Sequence, residues 1–136
     1  DQEFLRHLIT RAGVVHPVVA YGDGESAIAG LTPLLEAADD VPLLMFLDWK
    51  MPGMNGSDVI RWVRGHPRFA PLEIALLSGS LRYADMRMAA ELGANHYFEK
   101  FPSTEVIKRC VHSAVSVRSA RARRAVVPPG SIRASS

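Results

Sequence analysis

Apolar positions in this chain follow two alternating periods. Phe4, Leu5, Leu8, Ile9 and Ala12 recur every three to four residues, with Arg6, His7 and Arg11 between them. That spacing predicts an amphipathic helix over 2–12, and Gly13 supplies its stop. Val14 to Tyr21 reads as a strand. Pro17 has no backbone N–H to donate, so this strand belongs at a sheet edge. Gly22-Asp23-Gly24 forms a turn, and 25–38 reads as a helix with Ala27, Ile28, Leu31, Leu34 and Leu35 inward and a kink at Pro33. Leu43-Leu44-Met45-Phe46-Leu47 is a solid apolar run that ends on Asp48. A short run of this kind, followed by a loop rich in Pro and Gly, fits a strand buried on both faces.

The alternation continues downstream. Residues 56–64 form a helix with Val59, Ile60 and Val63 inward, ended by His66-Pro67. Residues 72–77 form a strand closed by Ser78-Gly79-Ser80. Residues 83–92 form a helix with Met86, Ala89, Ala90 and Leu92 as its apolar positions and Gly93 as its stop. His96-Tyr97-Phe98 is a short strand. Ser103 can cap a last helix, with Glu105 in its first turn and Val106, Ile107, Cys110, Val111 and Ala114 as its stripe. Strands that alternate with helices predict an α/β fold, a doubly wound parallel sheet. The sequence opens on a helix, with no strand before it.

Composition narrows the class. A chain of 136 residues, 48% hydrophobic and 22% charged, suits one globular unit. No window reaches the roughly 18 apolar residues that a membrane span needs, and the first residues carry no signal-peptide pattern. The single cysteine, Cys110, excludes an internal disulfide and a cysteine-rich zinc site. A reducing compartment, the cytoplasm, is expected. The five histidines, His7, His16, His66, His96 and His112, show no metal-ligand spacing.

Three predicted strands end in a polar group: Asp48, Ser78 and Lys100. In a parallel sheet such ends meet on one side of the molecule. A carboxylate there can act as nucleophile on a phosphoryl group and form an acyl phosphate. Phosphoryl transfer is catalysed mainly by positioning and charge neutralisation. Lys100 can bind one phosphoryl oxygen, Ser78 can donate to another, and a magnesium ion can balance the remaining charge. Taken singly, each residue has a plainer reading as a turn serine, a solvated lysine or a capping aspartate.

The ordered set resembles the receiver domain of two-component response regulators. Leu47-Asp48 is followed by Met51-Pro52-Gly53 and Gly56; then come Leu77-Ser78-Gly79, Glu91-Leu92-Gly93-Ala94 and Tyr97-Phe98-Glu99-Lys100. Ser78 lies 30 positions after Asp48 and Lys100 a further 22. The resemblance covers about residues 1–115, and the loop 64–69 is similar to that of small stand-alone receivers that partner bacterial phytochromes. It implies a flavodoxin-like five-stranded sheet in the order 2-1-3-4-5, with Asp48 as phosphoacceptor and Ser78 and Lys100 as its assistants. It also implies Tyr97 as an aromatic switch, which has a static core tyrosine as its plainer alternative. Asp48 and the Lys50 backbone carbonyl are the implied magnesium ligands. Such a protein catalyses its own phosphotransfer and dephosphorylation without being a conventional enzyme. Its implied partners are a histidine kinase or phosphotransfer protein, a downstream protein on the face formed by 82–98 and 103–114, and a second copy in a homodimer.

Three departures modify this reading. The family's first strand and the acidic pair that completes its magnesium site would fall upstream of Asp1. Without that central strand, the strands near Val18 and Phe46 are expected to lack a common neighbour, leaving buried backbone groups unpaired and magnesium binding weak. A truncated start, or a replacement strand from a partner chain, would account for this. Phe101 separates Lys100 from Pro102, and a non-prolyl cis bond costs about 2.5–4 kcal/mol, so a trans peptide is expected there. Lys50 puts a positive side chain beside the site. A phosphorylation-independent pseudo-receiver is therefore the alternative. A hydrolase of the haloacid dehalogenase type would need a second Asp where Lys50 stands.

Residues 116–136 form a separate basic tail. It contains no acidic residue but has Arg118, Arg121, Arg123, Arg124 and Arg133. Residues 120–124 are expected to extend the last helix, 126–130 to break it, and 131–136 to be disordered. The net charge of +2 does not make the whole chain a nucleic-acid binder. Only the tail offers such a contact, and its plainer reading is a solvated end. With 21 residues after 115, no folded DNA-binding domain is expected there.

Overall fold

The structure is a computed structural model and describes residues 18–36, 41–50 and 53–125, together with His7. The helix predicted over 2–12, apart from His7, and the basic residues after 125 lie outside the described residues. Four strands are present among those described: β1 (Val18–Tyr21), β2 (Leu44–Asp48), β3 (Glu73–Ser78) and β4 (His96–Glu99). All pair in parallel, in the order β1-β2-β3-β4. β1 lies at one edge of this sheet, while Pro17, which precedes it, falls outside the described residues.

Side-chain alternation sorts the core into two layers. Met45, Leu47, Ile74 and Leu76 point to one face; Leu44, Phe46, Ala75 and Leu77 point to the other. Helices α1 (Gly24–Leu31), α2 (Gly56–Arg64) and α3 (Tyr83–Leu92) each join one strand to the next in the same direction. Right-handed crossovers in one direction put all three on one face. They pack there through Ala27 and Leu31, through Val59, Ile60 and Val63, and through Ala89. Helix α4 (Thr104–Ala125) covers the opposite face with Ile107, Cys110, Val111 and Ala114. This is the flavodoxin-like α/β arrangement.

Helix ends follow local chemistry. The Asp23 carboxylate accepts the Ser26 N–H at 2.7 Å and caps α1; Asn55 accepts the Asp58 N–H at 3.2 Å and caps α2. Ser103 caps α4 as expected, accepting the Val106 N–H at 3.2 Å. Gly93 ends α3 in the left-handed region at φ 116°, which favours glycine.

Three expectations need correction. β1 and β2 do not stand apart around a vacancy. They pair directly, Val18 to Leu44 through Tyr21 to Leu47, because unpaired backbone groups in a buried strand cost more than a closed seam. The helix expected over 25–38 ends at Leu31. Thr32–Leu35 continues as a 3-10 turn, since Pro33 removes a donor and crowds the preceding turn. Only Ala89 of the apolar positions of α3 is buried. Met86 and Ala90 are exposed, because the helix lies over the short terminal strand rather than over the sheet centre.

Arg118 lies on the stripe of α4 where an apolar residue would continue it. Its guanidinium donates to the carbonyls of Val41 at 3.2 Å, Pro42 at 2.8 Å and Pro71 at 3.1 Å. It thereby ties α4 to the loops that enter β2 and β3. Arg118→Ala is expected to lower the unfolding free energy by about 2 kcal/mol in urea titration, from several charge-assisted bonds lost at a part-buried site.

Burial, with the Glu73 carboxylate adding to it, pushes the Cys110 thiol from 9.0 up to about 12. Between those values the unfolded chain releases its thiol proton and the native chain keeps it. Stability should fall as pH rises through that window. Unfolding curves across it should show this slope in the parent chain and lose it in Cys110→Ala.

Candidate functional site

The parallel register brings three chain segments to one end of the sheet. Asp48 closes β2 opposite Leu77, and Ser78 closes β3 opposite Glu99. Hydrogen bonding continues past the strands. The Trp49 N–H donates to the Leu77 carbonyl at 2.8 Å, and the Lys100 N–H donates to the Ser78 carbonyl at 2.7 Å. These bonds hold the segments after β2 and β4 against β3.

The Lys100 Nζ lies 2.8 Å from Asp48 Oδ1. The two side chains keep 29% and 21% of their surface in solvent, so the pair is reachable by a donor. Ser78 is buried, and its hydroxyl is turned into its own loop. It donates to the Ser80 carbonyl at 2.8 Å and accepts the Ser80 N–H at 3.4 Å. The Lys100–Phe101 peptide is cis, not trans as expected. Local cost alone predicted trans; here the Lys100 N–H is fixed on β3 and Pro102 is buried on the other side, so tertiary contacts decide.

Gly56 sets the floor of the loop after Asp48. Its N–H donates to the Trp49 carbonyl at 2.9 Å, and an added Cβ would lie 2.9 Å from that carbonyl oxygen and 3.1 Å from the Asp48 carbonyl oxygen. Any larger residue would push α2 off the site loop.

Tyr97 projects from β4 into the layer under α1–α3. Its ring meets Trp49 edge-on, with centroids 6.0 Å apart. The Tyr97 hydroxyl is buried and has no hydrogen-bond partner among the described residues. Sequence reasoning gave Trp49 no role. It is a buried core residue that links the segment after Asp48 to Tyr97. The apolar run ending at Leu47, resumed by Trp49 after one carboxylate, was the available signal.

Lys50 is exposed. The resemblance to receiver domains implies a magnesium ion at this end of the sheet. Magnesium wants about six oxygens in an octahedron. Asp48 is already opposed by Lys100, and the described residues contain no group of three or more His, Cys, Asp or Glu that could hold a metal. With the Lys50 carbonyl added, these donors do not by themselves fit magnesium. The acidic pair implied upstream of Asp1 is not in the sequence.

Comparisons with known proteins agree with this geometry. The family model described as "Response regulator receiver domain" matches residues 2–112. The transcriptional regulatory protein GltR of Pseudomonas aeruginosa is 31% identical over 110 residues, covering 79% of this chain and 42% of GltR. Chemotaxis protein CheY1 of Helicobacter pylori is 34% identical over 74 residues, 54% of this chain and 59% of CheY1. The chain thus spans about half the length of these curated relatives. Among solved structures, the signal receiver domain of NarL from Mycobacterium tuberculosis superposes with a TM-score of 0.68 at 25% identity, covering 84% of this chain and 86% of that one. The phosphorylated cyanobacterial phytochrome response regulator RcpA gives 0.62 at 26% identity, covering 83% and 84%. Fold, order of polar strand ends and extent of the match all agree: the chain belongs to the receiver domain family of two-component response regulators.

Proposed function

We propose that this receiver is a phosphorylation-activated switch that takes a phosphoryl group onto Asp48 from a histidine kinase or phosphotransfer protein. The observation that carries the reading is the 2.8 Å contact between Lys100 Nζ and Asp48 Oδ1 at an accessible strand end. The Asp48 carboxylate oxygen attacks phosphorus, the bond from phosphorus to the donor breaks, and the donor keeps that electron pair. The Lys100 ammonium stays beside the new phosphoryl oxygens and offsets their charge. Ser78 leaves the Ser80 carbonyl and donates to one of those oxygens. Similarity to RcpA, whose structure is described as phosphorylated, supports the reading.

The output face is the one formed by 82–98 and 103–114. Leu81, Tyr83 and Met88 are 50%, 74% and 46% exposed at or beside α3, more apolar surface than one short helix usually leaves uncovered. A downstream protein would cover it once Tyr97 and the loop after β3 repack. The cytoplasm suits such a switch. None of the described helices is long and apolar enough to cross a membrane.

A second reading rests on the polar groups as they stand. Asp48 is already paired with Lys100, and the Ser78 hydroxyl is turned to the Ser80 carbonyl, an arrangement that also suits an interaction module working without phosphoryl transfer.

Intact-mass analysis after incubation with acetyl phosphate, with and without magnesium, separates the two. The switch predicts one added phosphoryl group, absent in Asp48→Asn, with Lys100→Ala slowing its formation by roughly 10²-fold. An unmodified chain together with unchanged partner capture by Asp48→Asn would establish the second reading instead. Tyr97→Phe removes a buried hydroxyl without a partner and should raise stability by about 1 kcal/mol in urea titration while leaving Asp48 phosphorylation intact.

A further inference from the structure

The end of the sheet remote from Asp48 is built around arginine. Arg64, at the end of α2, donates to the Gly93 carbonyl at 3.0 Å, the Phe69 carbonyl at 3.0 Å and Asn95 Oδ1 at 2.9 Å. Arg118 holds Val41, Pro42 and Pro71 from the other face. The two guanidiniums therefore grip the same segment, Phe69 to Pro71, where the chain enters β3. Arg121 stands one turn beyond Arg118 on α4 and is exposed, as is Arg123. Arg64 senses this crowding. Burial depresses its pKa most, and the like charge of Arg121 depresses it further against the opposing pull of Glu73.

Among the described residues, little on this edge cancels the charge. Glu73 is buried and already paired with His96 Nε2 at 2.8 Å. None of the ion pairs among the described residues involves Arg121 or Arg123. From Val106 to Ser136 the sequence has Lys108, Arg109, Arg118, Arg121, Arg123, Arg124 and Arg133, and no Asp or Glu. Helix α4 is 22 residues long, which makes a rod of about 33 Å.

We propose that this basic edge and the last turns of α4, with Arg121 and Arg123 as principal contacts, bind the phosphodiester backbone of a nucleic acid without reading its sequence. The fixed guanidiniums of Arg64 and Arg118 spend their donors on carbonyls and contribute field. The exposed ones keep their forks for phosphate oxygens, a geometry that arginine matches better than lysine does. No Phe, Tyr or Trp lies on α4, and its exposed His112 stands more than two turns before Arg121, so base stacking plays no part at the basic end and phosphate supplies the affinity. A lipid surface would need an apolar face on the same helix, and Val117 is its single exposed large hydrophobic residue among those described. An acidic protein would need an aromatic or aliphatic anchor beside the charge, and among the described residues of α4 Val117 alone is an exposed large hydrophobic one. The contact lies at the opposite end of the sheet from Asp48, so it stands or falls independently of phosphoryl transfer.

The test uses the full chain and a fluorescein-labelled DNA duplex of arbitrary sequence, read by anisotropy at salt from about 50 to about 200 mM. Polyglutamate and phosphatidylserine vesicles serve as competing anions. The expected result is binding that weakens steeply with salt and resists both competitors. Asp48→Asn should bind equally well. Arg121→Gln with Arg123→Gln, folded by circular dichroism, should bind about tenfold or more weakly, with the log–log salt slope flatter by about two. No binding at the lowest salt would overturn the proposal. So would binding indifferent to salt, displacement by polyglutamate or vesicles at equal charge, or parent-like affinity in the double variant.

Discussion

A parallel strand buried on both faces must find hydrogen-bond partners on both edges, and the structure depends on that requirement at β2. Leu44 to Phe46 have no exposed surface, and each backbone group along the strand must pair within the sheet. β3 supplies one edge and β1 the other. Once those registers are set, Asp48 emerges beside the ends of β3 and β4 and nowhere else. The Lys100–Asp48 contact is thus a consequence of backbone pairing that begins five residues earlier.

The same sheet has two charged ends of different character. At the carboxyl end, one carboxylate and one ammonium neutralise each other at the surface, where a small change in ligand charge can rearrange them. At the amino end, Arg64 and Arg118 are anchored to backbone carbonyls from two helices on opposite faces. These bonds fix the loops entering β2, β3 and β4, and so brace the register on which the first end relies. Rigidity at one end and adjustable polar groups at the other suit a domain whose output is a change of surface.

Between the ends, Trp49 and Tyr97 link the site to the outer face. Trp49 follows Asp48 directly, and its ring meets Tyr97 on β4 inside the layer beneath α1–α3. The segment after Asp48 is thus tied to β4 by ring contact as well as through Lys100. The Tyr97 hydroxyl at this contact has no hydrogen-bond partner among the described residues, at a cost in stability.

Among the described residues, apolar periodicity was enough to assign the strands and the helices apart from the 3-10 turn at Thr32–Leu35, because buried strands read as solid runs and surface helices as stripes. The order Asp48, Ser78, Lys100 at successive strand ends was also legible, since a carboxylate, hydroxyl and ammonium after apolar runs have few other reasons to recur. What local pattern did not carry was long-range pairing. The direct seam between β1 and β2, the cis peptide before Phe101, the exposure of Met86 and the placing of Arg118 all arise from contacts between residues far apart in sequence. By itself the sequence determined which segments are strands, which are helices and which polar groups stand at their ends, because these follow from local periodicity. Only the tertiary structure decided which strands touch, which charges meet and which hydroxyls turn away, because hydrogen-bond satisfaction in a buried sheet is settled across the whole molecule.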